Sequence, residues 1–402
     1  MKKIYYITAV FATLFLVGCG DGIDLPGVNV ETDLNKIPLP DNNVNLEQVE
    51  LKPSTEPMLH EGLHTEEDFQ RIRDKKAAGE EPWISAYQLL VESQFSQKTA
   101  DTYPTEWIKR GVSGDENYMN AARGATIAYQ QALRWKIEQD DEYAAKAVEN
   151  LNKWVQTCVG VTGNTNLSLA AGLYGYEFAI AGELLRDYGG WDRADFAAFQ
   201  NWLLKVFYPA NDDFLKRHHD TNALHYWANW CLCNIAAKMA IGIVTDRRDI
   251  YNEGIAHLQT GDTNGRLRRA IYHDYAPDYN FAQWQESGRD QGHTLMCVGL
   301  MGIICQLAWS QGDDFFAYDD NLFLRACEYA ACCNYTNETV PYTTYIWQKQ
   351  SQWGYPIPEE QTTLGGGKWI KRAIWALPYY HYKGIKTSRM IISNILRLLP
   401  NM

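Results

Sequence analysis

The sequence has no surplus of positive charge. It contains 37 lysines and arginines against 49 aspartates and glutamates, which gives a formal net charge of −12. No basic stripe stands out along the chain, and we therefore expect no nucleic-acid partner. The same charge balance is unexpected for a protein that binds a polyanion, although attraction depends on the local field of a cleft rather than on the total charge.

The signals of a metal site are also missing. Eight of the nine cysteines follow Cys19, and most of them fall in apolar helical stretches, where cysteine acts as a small hydrophobic residue. Neither Cys231-Leu-Cys233 nor Cys332-Cys333 has the spacing of zinc ligands, and no histidine pair completes a site. We expect no metal and no cofactor. An oxidising compartment would permit disulfides, but the sequence defines no pairing.

The first residues carry a targeting signal instead of a membrane span. Lys2 and Lys3 precede an apolar run at 4–17 that is too short to cross a membrane. Leu16-Val17-Gly18-Cys19 resembles a bacterial lipobox, in which the cysteine is lipidated. The alternatives are a plain secretory signal or a small anchor helix. We expect residues 1–19 to be a lipoprotein signal peptide, and the lipid on Cys19 to be the only membrane contact of a cell-envelope protein, periplasmic or on the outer-membrane surface.

The rest of the chain divides into a linker and one large domain. Residues 20–55 are rich in Asp, Asn, Pro and Val and predict an extended linker. Helical periodicity dominates residues 56–402, where Thr65 to Asp68 resembles a capping box. Further helices are predicted at about 194–208, 222–244, 250–258, 292–312, 321–334 and 368–382.

The fold class follows from the helix pattern. No long alternating strand pattern appears, and the stretch 295–309 is apolar on all sides, which predicts a helix buried all round. Alternating inner and outer helices in a ring would produce such helices, although no sequence repeat is visible. We predict an all-α protein with an (α/α) toroid of about six to seven helix hairpins, and we expect a monomer.

Aromatic residues are abundant for a helical protein. They make up 13% of the chain, with 14 Trp and 25 Tyr. Sugar-binding clefts use aromatic rings as flat apolar platforms, so this composition favours a carbohydrate ligand. The alternative is that the rings fill a large helical core, as about half of them are expected to do.

The densest cluster of polar residues runs from Gln283 to His293, directly before the most apolar helix. Within it, Arg289 is suited to pair with a carboxylate in a bidentate fork, and Asp290 to orient His293 or Arg289. We predict that Arg289 and His293 are catalytic and that Gln285 and Glu286 bind substrate. The alternative is a capped helix start with a structural ion pair.

A second cluster runs from His218 to Trp230. Asn222, His225 and Asn229 would lie on one face of a helix, because they are three and four residues apart. Trp227 and Trp230 would form an adjoining aromatic stripe. Amide and imidazole groups beside aromatic rings suit a sugar carboxylate, whereas the alternative for the histidine is a satisfied core position.

Two further candidate groups lie in predicted loops. Residues 272–279 contain Tyr275 and Tyr279, and a tyrosine can serve as both base and acid if nearby cations lower its pKa. Either ring would otherwise be an aromatic wall. Asn164 and Asn166 stand at the start of the helix that follows them. Each is either an N-cap of that helix or an amide donor to substrate.

Three motifs together resemble the alginate-lyase-type polysaccharide lyases with (α/α) toroid folds. They are Glu286-Ser-Gly-Arg-Asp-Gln-Gly-His-Thr294, Asn222-Ala-Leu-His-Tyr-Trp227, and the opening segment His60 to Asp68 with Pro82-Trp83. The resemblance covers residues 56 to about 385. It implies β-elimination on a mannuronate or glucuronate polymer, with Asn222 and His225 near substrate and Arg289 at the position of the family's arginine.

The chain departs from that family pattern at two places. The motif Asn-Asn-His-x-Tyr-Trp puts Leu224 where the histidine belongs, so that His225 would lie about 100° away around a helix. The stretch after Arg289 also lacks the family's tyrosine. The resemblance therefore implies that His293, or a tyrosine from the loop at 272–279, takes the place of the family's tyrosine.

The expected chemistry explains why these residue types occur together. The C5 proton of a uronate becomes easier to remove when hydrogen bonds from Asn222 and the charge of Arg289 neutralise the neighbouring carboxylate. A tyrosinate or neutral histidine then removes that proton. The predicted catalytic residues are Asn222, His225, Tyr275, Arg289 and His293, and the predicted substrate contacts are Asn166, Trp227, Trp230, Tyr279, Gln285 and Glu286.

Two other functions stay open from the sequence. A glycoside hydrolase on an (α/α) barrel would need two opposed carboxylates, for which Asp274 or Asp278 with Glu286 or Asp290 are the candidates. A sugar-binding lipoprotein without catalysis would bind an oligosaccharide and show no turnover.

Overall fold

The computed structural model describes residues 49–383. The predicted signal peptide, the lipidation site Cys19 and residues 20–48 of the predicted linker lie outside the described residues, as do residues 384–402. Within the described linker, the Val49 backbone N–H donates to Gln259 Oε1 at 2.6 Å, and Asn252 Nδ2 donates to the carbonyl of Lys52 at 2.7 Å. Residues 49–55 are therefore attached to the helical body.

Helices make up most of the described chain, and three small sheets lie between them. The helices are α1 (Glu66–Ala77), α2 (Trp83–Glu92), α3 (Tyr118–Glu138), α4 (Asp141–Thr157), α5 (Leu167–Leu185), α6 (Arg193–Val206), α7 (Tyr208–Arg217), α8 (Ala228–Val244), α9 (Arg248–Thr260), α10 (Leu267–Ala270), α11 (Gln291–Ser310), α12 (Tyr318–Tyr335) and α13 (Ala376–Tyr382). The strands are β1 (Trp107–Arg110), β2 (Gly160–Gly163), β3 (Ile271–Asp274), β4 (Ala282–Trp284), β5 (Tyr345–Gln350) and β6 (Pro356–Gln361). Strand β1 pairs with β2 in parallel, whereas β3–β4 and β5–β6 are antiparallel.

Inner and outer helices alternate along the chain. Helices α5, α8 and α11 are buried along almost their whole length, whereas α4, α6 and α9 bury one side only. This is the all-α (α/α) toroid arrangement that the sequence predicts. Helix α11 is long and apolar enough to cross a membrane by length and composition, but it is a core helix, because most of it is buried within the protein.

The inner helices run parallel, so that their N-termini share one end of the ring. Strands β1 and β2, which are parallel, lead into α3 and α5. Asn234 Nδ2, in the second turn of α8, donates to the carbonyl of Ser168 in the first turn of α5 at 3.1 Å. Asn229 at the start of α8 contacts Met296 of α11 at 3.7 Å. We call this end the N-terminal face; the helix dipoles give it a positive potential.

Small residues allow the inner helices to approach closely. A Cβ atom at Gly172 of α5 would lie only 2.5 Å from the Cys233 sulfur of α8. The eight cysteines of residues 49–383 are all buried and unpaired with one another, as expected for small hydrophobic side chains. Close packing at these positions fixes the spacing of the helix starts at the N-terminal face.

The predicted first residues of two helices were wrong, and one β-hairpin was not predicted. The helix predicted at 222–244 begins at Ala228, and the helix predicted at 368–382 begins at Ala376. Residues 222–227 are non-helical because they bond to a distant strand: Asn222 Nδ2 donates to the carbonyl of Gln348 at 3.0 Å. The hairpin β5–β6 was not foreseen, and it covers this turn.

Candidate active site

A buried carboxylate organises the N-terminal face. Glu286 is fully buried and accepts a hydrogen bond from the Asn229 backbone N–H at 3.2 Å, while Gln285 accepts from the Ala228 N–H at 3.0 Å. Both side chains thus satisfy amide groups in the first turn of α8, which otherwise lack partners. The prediction that Gln285 and Glu286 contact substrate was wrong, because neither side chain reaches solvent; they are structural supports.

Arg289 is held in place from two sides. Its Nη1 lies 3.3 Å from Glu286 Oε2, and its guanidinium carbon lies 5.2 Å from the centre of the Trp227 ring. About a quarter of the Arg289 side chain (24%) remains exposed, whereas Trp227 is only 9% exposed. Trp227 is therefore a poor sugar platform, contrary to the prediction, and instead supports the guanidinium through a cation–π contact.

Asp290 orients His293, as the sequence predicts. The Asp290 carboxylate caps α11 by accepting the His293 N–H at 2.8 Å, and its other oxygen lies 2.5 Å from His293 Nδ1. Burial alone would raise the pKa of Asp290, but the hydrogen bonds from His293 and the charge of Arg289 outweigh it and lower that pKa. An ionised Asp290 requires the proton on Nδ1, so proton transfer by His293 runs through Nε2.

His293 lies on the Arg289 side of α11. Residues four apart share one face of a helix, so His293 projects on the same face as Cys297. The Cys297 sulfur lies 3.9 Å from Glu286 Oε1, the carboxylate that also pairs with Arg289. The imidazole of His293, 16% exposed, therefore lies one helical turn before Cys297 on this face of α11.

His225 is fixed in the opposite tautomer. The Gln350 backbone N–H donates to His225 Nδ1 at 2.8 Å, so this nitrogen cannot carry a proton. Burial, assisted by the charge of Lys349, lowers the pKa of His225 to about 4. The ring is therefore neutral at pH 7, with its proton on Nε2, and acts as a hydrogen-bond donor.

Strand β5 positions His225. Trp347 Nε1 donates to the His225 carbonyl at 2.6 Å, and the Trp347 and His225 rings stack at 5.8 Å with an interplanar angle of 13°. Trp347 also stacks on Trp227 at 5.1 Å, which connects His225 to the support of Arg289. The prediction that Asn222, His225 and Asn229 share one helical face was wrong. Residues 222–227 form a turn that is hydrogen-bonded to β5, and α8 begins only at Ala228.

The amide of Asn222 is fully used within the protein. Its Nδ2 donates to the Gln348 carbonyl and to Gln350 Oε1, both at 3.0 Å, and its Oδ1 accepts the Leu224 N–H at 3.1 Å. The prediction that Asn222 donates to the sugar carboxylate therefore needs correction. Asn222 holds the turn that carries His225.

Tyr275 is not activated as a base. Its hydroxyl donates to Gln283 Oε1 at 2.6 Å, and burial raises its pKa, the opposite of the lowering that a tyrosinate base requires. The predicted catalytic role of Tyr275 is therefore corrected to that of a neutral phenol that is hydrogen-bonded to Gln283 and Thr343. Tyr279 is 53% exposed at the loop between β3 and β4 and stays a candidate substrate contact.

Two further candidate substrate contacts, Trp230 and Asn166, are engaged with neighbouring side chains. Trp230 packs on Tyr226 at 4.7 Å and on Phe214 at 6.0 Å, so it forms no stripe with Trp227. Asn166 precedes α5 at the N-terminal face and donates from Nδ2 to Asn164 Oδ1 at 2.9 Å. Its side chain makes no capping hydrogen bond to α5.

Sequence reasoning missed the residues on β5 that complete the site. They are Trp347, Lys349 and Gln350, of which Lys349 Nζ lies 5.8 Å from the Trp347 ring centre. The run of threonine, tyrosine, isoleucine and tryptophan at 343–347 has the composition of a strand and could have indicated one. Its contact with residues 222–225 could not be inferred, because about 125 residues of chain lie between the two segments.

The carboxylates required by a hydrolase are committed elsewhere. Asp274 pairs with Arg325 at 2.7 Å, and Glu286 is sealed from solvent. Asp290 is bound to His293. Within residues 49–383, no group of three or more His, Cys, Asp or Glu side chains is placed to hold a metal ion.

Removing the Lys349 charge should raise the pKa of His225. Lys349 contributes to the low pKa of about 4, after burial, so Lys349→Met should shift the His225 titration to higher pH. The midpoint can be read from the His225 Cε1–H resonance in an NMR titration. Lys205→Met, an exposed lysine of α6, is the matched control and should leave the midpoint unchanged. An unchanged midpoint in both variants would show that burial alone sets the pKa of His225.

Comparison with known proteins indicates one family. A family model described as alginate lyase matches residues 73–338. No curated protein sequence matches the chain. Among solved structures, alginate lyase A1-III from Sphingomonas species A1 has a TM-score of 0.48 and 12% identity, covering 69% of this chain and 79% of that chain. An alginate lyase from Bacteroides ovatus has a TM-score of 0.47 and 15% identity, covering 63% of this chain and 77% of that chain.

Proposed function

Because this chain belongs to the alginate lyase family, we propose that it cleaves a uronate-containing polysaccharide by β-elimination at the N-terminal face. The observation that carries the proposal is a pair of histidines with opposite proton positions, one on the turn that ends at Trp227, which contacts Arg289, and one four residues after Arg289 in the chain. His225 presents a proton on Nε2, and His293, held by Asp290 through Nδ1, exchanges protons through Nε2. One donor and one base are what a β-elimination needs.

Binding of the sugar carboxylate is the first step. The charged guanidinium of Arg289 can donate two parallel N–H hydrogen bonds to the carboxylate, and the Nε2–H of His225 supplies a neutral donor. Negative charge moves onto this carboxylate as the C5 proton leaves, so both groups bind the transition state more tightly than the substrate. They take over the role that the sequence assigned to Arg289 with Asn222.

Proton transfer and bond cleavage follow. Neutral His293 removes the C5 proton, the electron pair of the C5–H bond forms the C4=C5 double bond, and the C4–O4 bond breaks. O4 leaves with the electron pair of that bond and takes up a proton, which the His293 imidazolium can return. The products are a new reducing-end sugar and a 4,5-unsaturated uronate. No step requires a metal or an organic cofactor.

The substrate class that we propose is a polymer of mannuronate or glucuronate. The family assignment supports an acidic polysaccharide, and the partly exposed guanidinium of Arg289 supports a carboxylate on the sugar bound there. Mannuronate and glucuronate differ in configuration at C2 and share that at C4 and C5, so the same groups suit either. We retain from the sequence the proposal that Cys19 carries a lipid anchor and that the protein is a monomer of the cell envelope.

The direct test is a screen of acidic polysaccharides with the purified chain. Incubation with polymannuronate or glucuronan should generate the ultraviolet absorbance of a conjugated unsaturated uronate in step with new reducing ends. New reducing ends without that absorbance would indicate hydrolysis and refute the proposal. Binding of an oligosaccharide without any product after long incubation would indicate a binding protein.

A further inference from the structure

Three consecutive glycines at 365–367 pair with the backbone at the start of α11, and we call this segment the glycine strap. The Gly365 N–H donates to the Ser287 carbonyl at 2.8 Å, and the Gln291 N–H donates to the Gly366 carbonyl at 2.9 Å. Gln291 is the first residue of α11, so the second bond also satisfies an N–H that the helix leaves without a partner. The strap is therefore fastened on both sides of the proposed catalytic arginine.

Gly365 approaches the peptide bond between Arg289 and Asp290 too closely for a side chain. A Cβ atom at Gly365 would lie 2.5 Å from the Arg289 carbonyl carbon and 2.6 Å from the Asp290 nitrogen. Cβ atoms do not pack this closely against backbone, so any other residue would have to move the strap or the Arg289 backbone. Apart from its chain neighbours, no described residue comes within 4 Å of the Cβ position of Gly366. The close approach is thus specific to Gly365.

The glycine strap also connects the two halves of the proposed site. It follows the hairpin β5–β6, which ends at Gln361 and whose first strand fixes the tautomer of His225. Gln361 lies close to the backbone before the arginine, since a Cβ atom at Gly288 would be 2.7 Å from the Gln361 Cβ. One continuous stretch of chain, 345–367, therefore contacts both the turn that carries His225 and the backbone that carries Arg289.

The other end of the strap is attached to α12. The Trp369 N–H donates to the Asn334 carbonyl at 2.8 Å, and Asn334 Nδ2 donates to the Ile370 carbonyl at 3.1 Å. Asn334 is fully buried, so this attachment belongs to the helical body. Because the strap is held at both ends, it can serve as a fixed support for the backbone that it contacts.

We propose that Gly365 is a positioning residue, through which the glycine strap sets the place of Arg289 relative to His225. This inference rests on the proposed function, in which both side chains bind the carboxylate of one sugar. Two groups on separate elements share a carboxylate only if their spacing is fixed, and a misplacement of about 1 Å can lower a rate about 10²-fold. Glycine is required because only a residue without a side chain lets the strap reach the peptide bond after Arg289.

Two adjacent substitutions test the proposal. Gly365→Ala should lower kcat/KM on polymannuronate about 10²-fold, because the added methyl group must displace the Arg289 backbone. Gly366→Ala adds the same group one residue later, where it meets open space, and should leave kcat/KM unchanged. Its melting temperature should stay the same or rise, because alanine restricts the unfolded chain. Neither glycine has a φ in the left-handed region, so backbone strain does not enter the comparison.

The NMR signal of Arg289 separates positioning from a general loss of stability. Its guanidinium carbon lies 5.2 Å from the centre of the Trp227 ring, whose ring current should shift the Arg289 Nε–H resonance in the ligand-free protein. Gly365→Ala should reduce this shift, and Gly366→Ala should keep it. In an Arg289→Met background, Gly365→Ala should add little to the loss of kcat/KM, because the strap acts through the arginine.

Two results would overturn the positioning role. One is a Gly365→Ala variant whose Arg289 resonance and kcat/KM match those of Gly366→Ala. The other is an undiminished further loss from Gly365→Ala in the Arg289→Met background, which would indicate a general structural defect. If Gly365→Ala does not fold, Gly367→Ala, which strains the strap at a φ of 98°, has to lower kcat/KM more than Gly366→Ala does, or the proposal fails. Absence of unsaturated product from the wild-type chain would refute the proposed function instead, and the Arg289 resonance would still decide the role of the strap.

Discussion

Replacement of Arg289 with methionine should lower kcat on polymannuronate about 10³-fold. Removal of a single preorganised donor from a developing anion costs about 10² to 10³ in kcat, and Arg289 supplies a full charge as well as donors. Methionine has a similar length and leaves Trp227 covered, so the effect should come from the charge. Initial rates from the absorbance of unsaturated uronate measure it.

Two comparisons separate the loss of charge from a loss of structure. Arg217→Met removes an exposed arginine that pairs with Asp213 on α7, and it should leave kcat unchanged. Glu286→Gln keeps the cap on α8 but removes the charge that holds Arg289, so it should show an intermediate loss. Arg289→Met with more than a tenth of wild-type kcat would exclude this guanidinium from the reaction.

Replacement of His293 with glutamine should lower kcat by about 10² to 10⁴, the range for removal of a general base. Glutamine can still accept a hydrogen bond but cannot take up the C5 proton. The KM should change little, because His293 is needed for the transfer of the proton and not for binding of the carboxylate. Asp290→Asn should lower kcat as well, because an amide no longer fixes the proton on Nδ1.

The pH dependence provides the control for His293. In the wild type, kcat should rise with pH as His293 loses its proton, and this limb should be absent in His293→Gln. In Asp290→Asn the limb should move to lower pH, since the Asp290 carboxylate stabilises the imidazolium. His60→Gln changes an exposed histidine bound to Asp246 and should leave the profile intact. A wild-type limb that persists in His293→Gln would assign the base to another group.

A chain of net charge −12 can still attract a polyanion if its cations are concentrated locally. Arg289 and Lys349 lie at the N-terminal face, to which the inner helices also point the positive ends of their dipoles. Charges at the surface that lie farther than about 10 Å from the bound sugar are largely screened by salt. The local field and not the sum of charges therefore governs binding, as the sequence analysis allowed.

The parts of the site that come from one short segment could be predicted from the sequence. The Asp290–His293 contact follows from a three-residue spacing at a helix start, and the capping box at Thr65 is local in the same way. The apolar stretch 295–309 likewise predicted a fully buried α11. Local hydrogen bonds and periodicity suffice for such features.

The parts that depend on distant contacts could not be predicted. His225 is a hydrogen-bond donor through Nε2 because its Nδ1 accepts the Gln350 N–H. The Asn222 amide cannot donate to a sugar carboxylate because it donates to the Gln348 carbonyl of β5. Glu286 was predicted to bind substrate, yet it caps the first turn of α8 from inside the protein. In each case a tertiary hydrogen bond overrides what helical spacing alone suggests.

The most direct measurement is a crystal structure of the His293→Ala variant with a bound mannuronate tetrasaccharide. The account predicts that the carboxylate of one sugar lies within hydrogen-bond distance of both Arg289 and His225 Nε2, with the C5 hydrogen of that sugar directed at the space left by His293. An oligosaccharide bound with its carboxylates away from Arg289, or with C5 turned away from residue 293, would contradict it.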